Sequence, residues 1–272
     1  MVAFAANSLL CRAALGTDAI DAGSFAALRT LAGTLTLVLI LILRGGLNKL
    51  PGASHVHTGA MLFAYMAFFT FAYRSLSAGT GALILFGAVQ LTMFAAALRN
   101  GEAFSPASWL GLFTAIAGLV YLVSPGLAAP DPLGAFLMAI AGVAWGLYSL
   151  LGRSAADPLV ATAGAFAVAT PAVLAVAAVS TVVSGAHASS LGVVLAIASG
   201  AVASGCGYVI WYGALRGLTA ARAATVQLSV PVIAAFGGVA FLSESVTLRL
   251  LVATAATLGG VAIVLGQRAA RK

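Results

Sequence analysis

Asn7-Ser-Leu-Leu-Cys-Arg12 returns as Tyr148-Ser-Leu-Leu-Gly-Arg153, with Arg153 standing 141 positions after Arg12. Gly23-Ser-Phe-Ala26 keeps that offset to Gly164-Ala-Phe-Ala167, and after a slip of one residue Glu102 pairs with Glu244 and Gly118 with Gly260, each 142 apart. Internal repetition is sought before any motif because it fixes the architecture. Four matches at one nearly constant offset read as a duplicated chain, with halves at 1–130 and 131–272. Met1 aligns with Gly142, so the first helix is expected to be short at its start.

The solvent for both halves is lipid. Of 272 residues 62% are hydrophobic and 7% charged, with a mean hydropathy of +1.12, whereas globular domains carry about 25% charged residues. Punctuation by charge, Pro and Gly/Ser predicts ten apolar spans, near 2–16, 22–43, 56–73, 78–98, 106–123, 133–152, 159–183, 191–214, 219–242 and 246–266. The runs lack period-two alternation, and a helix satisfies its own backbone in hydrocarbon. The expected fold class is therefore an all-α integral membrane protein of about ten transmembrane helices.

Five spans per half is an odd number, so the second half enters the membrane upside down relative to the first. Inverted repeats of this kind are a mark of secondary transporters, whose substrate site lies near the midplane between the halves. Positive residues favour cytoplasmic loops. Arg44, Lys49, Arg99, Arg153, Arg216, Arg222, Arg268, Arg271 and Lys272 fall on the face that holds both termini, and Arg12, Arg74 and Arg249 on the other. Both termini are expected in the cytoplasm. The net charge of +7 is thus topological, and no basic stripe with interleaved aromatics points to nucleic acid. A removable signal peptide is not expected. Eleven Arg against two Lys, with abundant Ala and Gly, points to a GC-rich bacterium and so to its inner membrane.

Gly101-Glu102 and Ser243-Glu244 follow the fourth helix of each half, and Ala117-Gly118-Leu-Val and Gly259-Gly260-Val-Ala close each half. In this order and spacing the chain resembles the drug/metabolite transporter superfamily, with its EamA-type repeats. Pro231 stands where the second repeat of that family commonly carries a kinking proline, whereas the first repeat has Val89. Ser77-Ala-Gly-Thr-Gly-Ala-Leu-Ile-Leu-Phe-Gly-Ala-Val-Gln90 is similar to the YddG-like exporters of aromatic amino acids. The resemblance implies a central cavity built from the first, third, fourth, sixth, eighth and ninth helices, which includes Phe86.

Polar groups inside spans are costly to leave unsatisfied and face the interior. Asn7, Gln90, Gln227, Ser149, Ser204 and Thr92 are such groups, and the two glutamine amides both donate and accept, which suits a zwitterionic or amide-like solute. Tyr65, Phe68 and Phe69 form one helical stripe, and Tyr208, Trp211 and Tyr212 another. Tyr65, Phe69, Trp145, Tyr148 and Tyr208 are expected to wall a cavity for flat rings. Tyr73 and Tyr212, at span ends, are expected in interfacial belts. Arg29, about 10 Å into its helix, is expected to snorkel to the surface in preference to contacting a substrate carboxylate, and Pro231 to act as a hinge.

Asp18, Asp21, Glu102, Asp131, Asp157 and Glu244 all fall at or near helix ends, so no midplane carboxylate is available to shuttle protons. His55, His57 and His187 are expected to be solvated. Cys11 and Cys206 lie in spans and read as packing residues. No metal or cofactor is expected. The expected partners are a small-molecule substrate and the lipid bilayer; the oligomeric state is open, with a monomer compatible. An exporter of aromatic amino acids leads the functional readings. Its competitors are a carrier of nucleobases, sugars or drugs, a membrane-embedded enzyme, for which Asp18-x-x-Asp21 is the one suggestive acidic pair, and a structural or sensor subunit.

Overall fold

The computed structural model describes residues 1–45, 55–126, 128–153, 155–215 and 226–270. It is all-helical. The helices are α1 (Val2–Gly16), α2 (Ala22–Leu43), α3 (Val56–Ala72), α4 (Ala78–Arg99), α5 (Pro106–Val123), α6 (Pro132–Gly152), α7 (Pro158–Ser184), α8 (Ser190–Ile197), α9 (Gly207–Leu215), α10 (Ser229–Leu242) and α11 (Leu248–Ala270). A π-helical stretch, Ala198–Cys206, joins α8 to α9 into one crossing. Seven helical crossings are long and apolar enough to span a bilayer, and α1, α3 and α10 are shorter apolar helices. Among the described residues the only β pairing is an isolated bridge between Ile20 and Ala188.

Short polar residues set where the helices begin. Asp21, Ser77, Ser105, Asp131, Asp157 and Ser189 each accept a hydrogen bond from a backbone N–H in the first turn that follows. That satisfies donors which would otherwise be orphaned at a helix start. Pro106, Pro132 and Pro158 occupy the first turns of α5, α6 and α7, where a missing N–H costs nothing.

The packing partners exchange between the halves. α3 lies against α6 and α7, while the α8 crossing lies against α1 and α2; α4 packs on α6 while α10 packs on α1. Each contact turns into its counterpart when every helix is replaced by the one that the 141–142 offset assigns to it. The pairs α2–α7, α4–α10 and α5–α11 map onto themselves. The last of these is sealed by bare glycine: a methyl group at Gly111 would lie 2.5 Å from the Gly260 carbonyl oxygen, and Gly260 abuts Gly111 in turn. Gly142 on α6 likewise faces the Leu85 carbonyl of α4.

The ninth crossing differs from its expected form. α10 begins only at Ser229, after a turn at Leu228, so Pro231 lies in its first turn and not at mid-helix. Pro231 has no N–H to offer the Gln227 carbonyl four residues back, and the helix is interrupted where that bond is missing. α4, with Val89 at the corresponding place, runs unbroken from Ala78 to Arg99. Residues 219–225 of the expected span lie outside the described residues, as do Lys49, Arg216, Arg222, Arg271 and Lys272.

Candidate functional site

A cavity of about 320 Å³ opens between the C-terminal ends of α4, α6, α9 and α11. Exposed Asn100, Glu102 and Arg153 stand at its mouth, and Gln90, Ser149, Trp211, Tyr212 and Gln227 lie farther in. Gln90 Nε2, Gln227 Oε1 and the Tyr212 hydroxyl are buried without a hydrogen-bond partner, so the walls offer an amide donor, an amide acceptor and a hydroxyl. Leaving any one of them unmet costs about 1–3 kcal/mol, which a solute with amide-like or zwitterionic polarity would recover.

The inner end of the cavity is a layer of rings. Trp211 meets Phe4 edge-on at 5.7 Å between centroids, and Phe4 meets Trp145 and Tyr208 at 5.6 and 5.9 Å. Trp145 also touches Tyr208 at 4.9 Å, Tyr65 at 4.8 Å and Tyr148 at 5.4 Å. Tyr65 continues to Phe69, and Phe69 to Tyr73. The rings thus run from the cavity toward the opposite face without a break.

Behind this layer lies a polar network. Ser199 Oγ donates to Asn7 Oδ1 at 2.5 Å, Asn7 Nδ2 donates to the Tyr65 hydroxyl at 3.2 Å, and Arg29 Nη2 donates to the same hydroxyl at 3.3 Å and to Ser204 Oγ at 3.5 Å. Arg29 does not snorkel. It is 0% exposed, because its side chain leaves α2 on the face packed against α3 and the π-helical stretch. Its guanidinium carbon lies 4.8 Å from the Phe69 ring centroid and 5.5 Å from that of Tyr65.

The face opposite the cavity mouth is shut. Arg12 Nε pairs with Glu244 Oε1 at 3.2 Å, and both Glu244 oxygens accept from the Ala78 N–H, at 3.1 and 2.9 Å. Arg12 also donates to the carbonyls of Tyr73 and Arg74. Beside it, the turn after α1 is laced to the loop before α8: Asp21 N–H donates to the His187 carbonyl, His187 N–H to Asp21 Oδ2, and Ser189 N–H to the Ala19 carbonyl. His187 is exposed, as expected, and its Nε2 lies 3.2 Å from Asp18 Oδ1. Burial alone would raise the Asp21 carboxyl, but hydrogen bonds from Ser24 and the His187 N–H hold it below the usual aspartate value.

Of the residues singled out from sequence, Asn7, Tyr65, Phe69, Trp145, Ser204 and Tyr208 meet in the sealed layer, and Gln90 and Gln227 line the cavity. Tyr148 abuts Trp145 and, at 6.0 Å, Tyr212. Phe86 is buried away from the cavity lining. Tyr73 and Tyr212 are buried and form no interfacial belt: the first packs on Phe69 and the second lines the cavity. Phe4, Arg29, Ser199 and Trp211 were not assigned to the site from sequence. The available signal for Phe4 was its place one turn before Asn7.

Residues 132–266 match the EamA-like transporter family. "Uncharacterized protein PA1977" of Pseudomonas aeruginosa is 49% identical over 273 residues, covering 100% of this chain and 93% of that protein. A solved structure described only as "Crystal structure of protein" has the same fold, with a TM-score of 0.66 and 22% identity over 98% of this chain and 97% of the other. With its seven apolar crossings, this multi-pass membrane protein carries over residues 132–266 a domain of the EamA-like transporter family.

Proposed function

We propose that the chain is a secondary carrier that exports small amphiphilic metabolites, aromatic amino acids foremost, by alternating access. The observation that carries this reading is the cavity whose Trp211 wall continues into the packed Phe4, Trp145 and Tyr208 rings, with the opposite face shut. Its volume falls within the range of about 300–1,000 Å³ common for small-molecule sites. Offset or edge-on ring contacts add about 0.5–1.5 kcal/mol beyond burial, enough to favour ring-bearing solutes without trapping them.

The exchange of packing partners between the halves supports the flipped duplication. Arg12 and Glu244 have Arg153 and Glu102 as their repeat equivalents, and those two flank the cavity mouth. In the alternate state the second pair closes the mouth as the first opens. Exposed Arg44, Arg99 and Arg153 at the C-terminal ends of α2, α4 and α6 support, by the positive-inside rule, a mouth on the cytoplasmic side of a bacterial inner membrane. The carrier then loads from the cytoplasm. Efflux of radiolabelled Trp, Phe and Thr from proteoliposomes tests the reading: Trp and Phe leave faster than Thr. Equal rates for all three remove the aromatic assignment.

A further inference from the structure

Arg29 is a full positive charge, wholly buried, in a chain whose six carboxylates all stand at helix ends. Among the described residues it meets no carboxylate within ion-pair distance. Two of its donors, Nε and Nη1, have no hydrogen-bond partner, and neither do Trp145 Nε1 and the Tyr208 hydroxyl in the ring layer beside it. The contacts with Phe69 and Tyr65 offset part of the charge, and Tyr65 and Ser204 take one nitrogen. An uncompensated buried ion still costs several kcal/mol. A group needed only for packing would cost less as an apolar side chain of similar size.

We infer that Arg29 is the anion subsite of the carrier and recognises the single carboxylate of a solute, free amino acids included, whose apolar part lies among the Trp145, Tyr208 and Tyr65 rings. The inference rests on the transport reading above and narrows its cargo to carboxylate-bearing solutes. A guanidinium presents fixed N–H donors that suit a carboxylate, and Nε and Nη1, on different edges, are the ones left over, each able to give a carboxylate oxygen one charge-assisted bond. The charge count sets the number of carboxylates. One cation without a second beside it pairs with one carboxylate, whereas a second carboxylate would enter the low-dielectric centre unpaired. In the present state the ring layer separates Arg29 from the cavity, so the solute passes from Gln90 and Gln227 to Arg29 as Phe4 and Tyr208 part.

The test uses the purified full chain in two assays. In proteoliposomes, Trp is carried at least about tenfold faster than tryptophan methyl ester or tryptamine, the scale expected for loss of a charge-assisted hydrogen bond. Arg29→Gln abolishes that preference, and Arg29→Lys retains part of it with a raised KM. In detergent, leucine raises the melting temperature more than leucinamide does, and the difference vanishes in Arg29→Gln. The leucine pair carries no ring, so it separates the two claims. If leucine outperforms leucinamide while no aromatic solute is moved, the aromatic cargo falls and the subsite stands. Measurable transport of Trp and its methyl ester at equal rates by the wild type, equal stabilisation by leucine and leucinamide, or an acid preference that survives in Arg29→Gln, overturns the subsite.

Discussion

Trp145 touches four other rings, those of Phe4, Tyr65, Tyr148 and Tyr208, while Arg249 is tied to the backbone carbonyls of Leu122 and Ser124 at the shut face. The two should therefore respond differently to truncation. Trp145→Ala costs about 3–5 kcal/mol of stability and slows efflux of ring-bearing solutes. Gln227→Ala slows it with the melting temperature nearly unchanged, and Arg249→Ala slows it least; initial efflux rates beside thermal melts decide the order. Gln90 and Gln227 were legible because an amide in an apolar run has few explanations. Arg29 was not, since depth along a helix is compatible with either snorkelling or burial and only the packing of α2 decides. Ser199 was hidden by the π-helical stretch. At 100° per residue, positions five apart differ by about 140°, yet a π turn bonds i to i+5, which brings Ser199 and Ser204 to the same side.

At the scale of elements, the contact between α5 and α11 depends on Gly111 and Gly260 lying backbone to backbone. A Cβ at either meets a carbonyl or an Ala115 backbone atom, neither of which is a flexible side-chain end. Gly260→Ala should cost about 1–3 kcal/mol, seen as a lower melting temperature in detergent. Gly259→Ala, where nothing lies within 4 Å, leaves it unchanged and controls for the substitution itself. Equal melts for the two variants would contradict this packing. Helix starts were readable from Asp157-Pro158 and similar pairs because a cap followed by proline is a local signal. The interruption at Leu228 was displaced from the expected kink because proline breaks the bond to the residue four before it, so its effect is felt upstream of the ring.

For the whole molecule, alternating access requires that opening one face closes the other, and the repeat names the residues that should show it. Arg12 and Glu244 are side chains 25% and 14% exposed, so their pair is shielded enough to hold the shut face. Each 1.4 kcal/mol lost from it changes the ratio of the two states about tenfold. In a background of Cys11→Ala and Cys206→Ala, Ser77→Cys reports the shut face and Ala96→Cys reports the cavity. Adding Glu244→Gln should speed maleimide labelling of the first and slow that of the second, whereas Glu102→Gln should shift both the other way. The proposed duplication behind this reciprocal prediction was read from Arg12, Arg153, Glu102 and Glu244 in the bare sequence, because offsets of 141 and 142 can be compared without any knowledge of contacts. Which pair is closed was not visible, since the sequence is common to both states and only their relative free energy selects one. Labelling that rises at both sites together would indicate loosening of the bundle and would remove the paired gates.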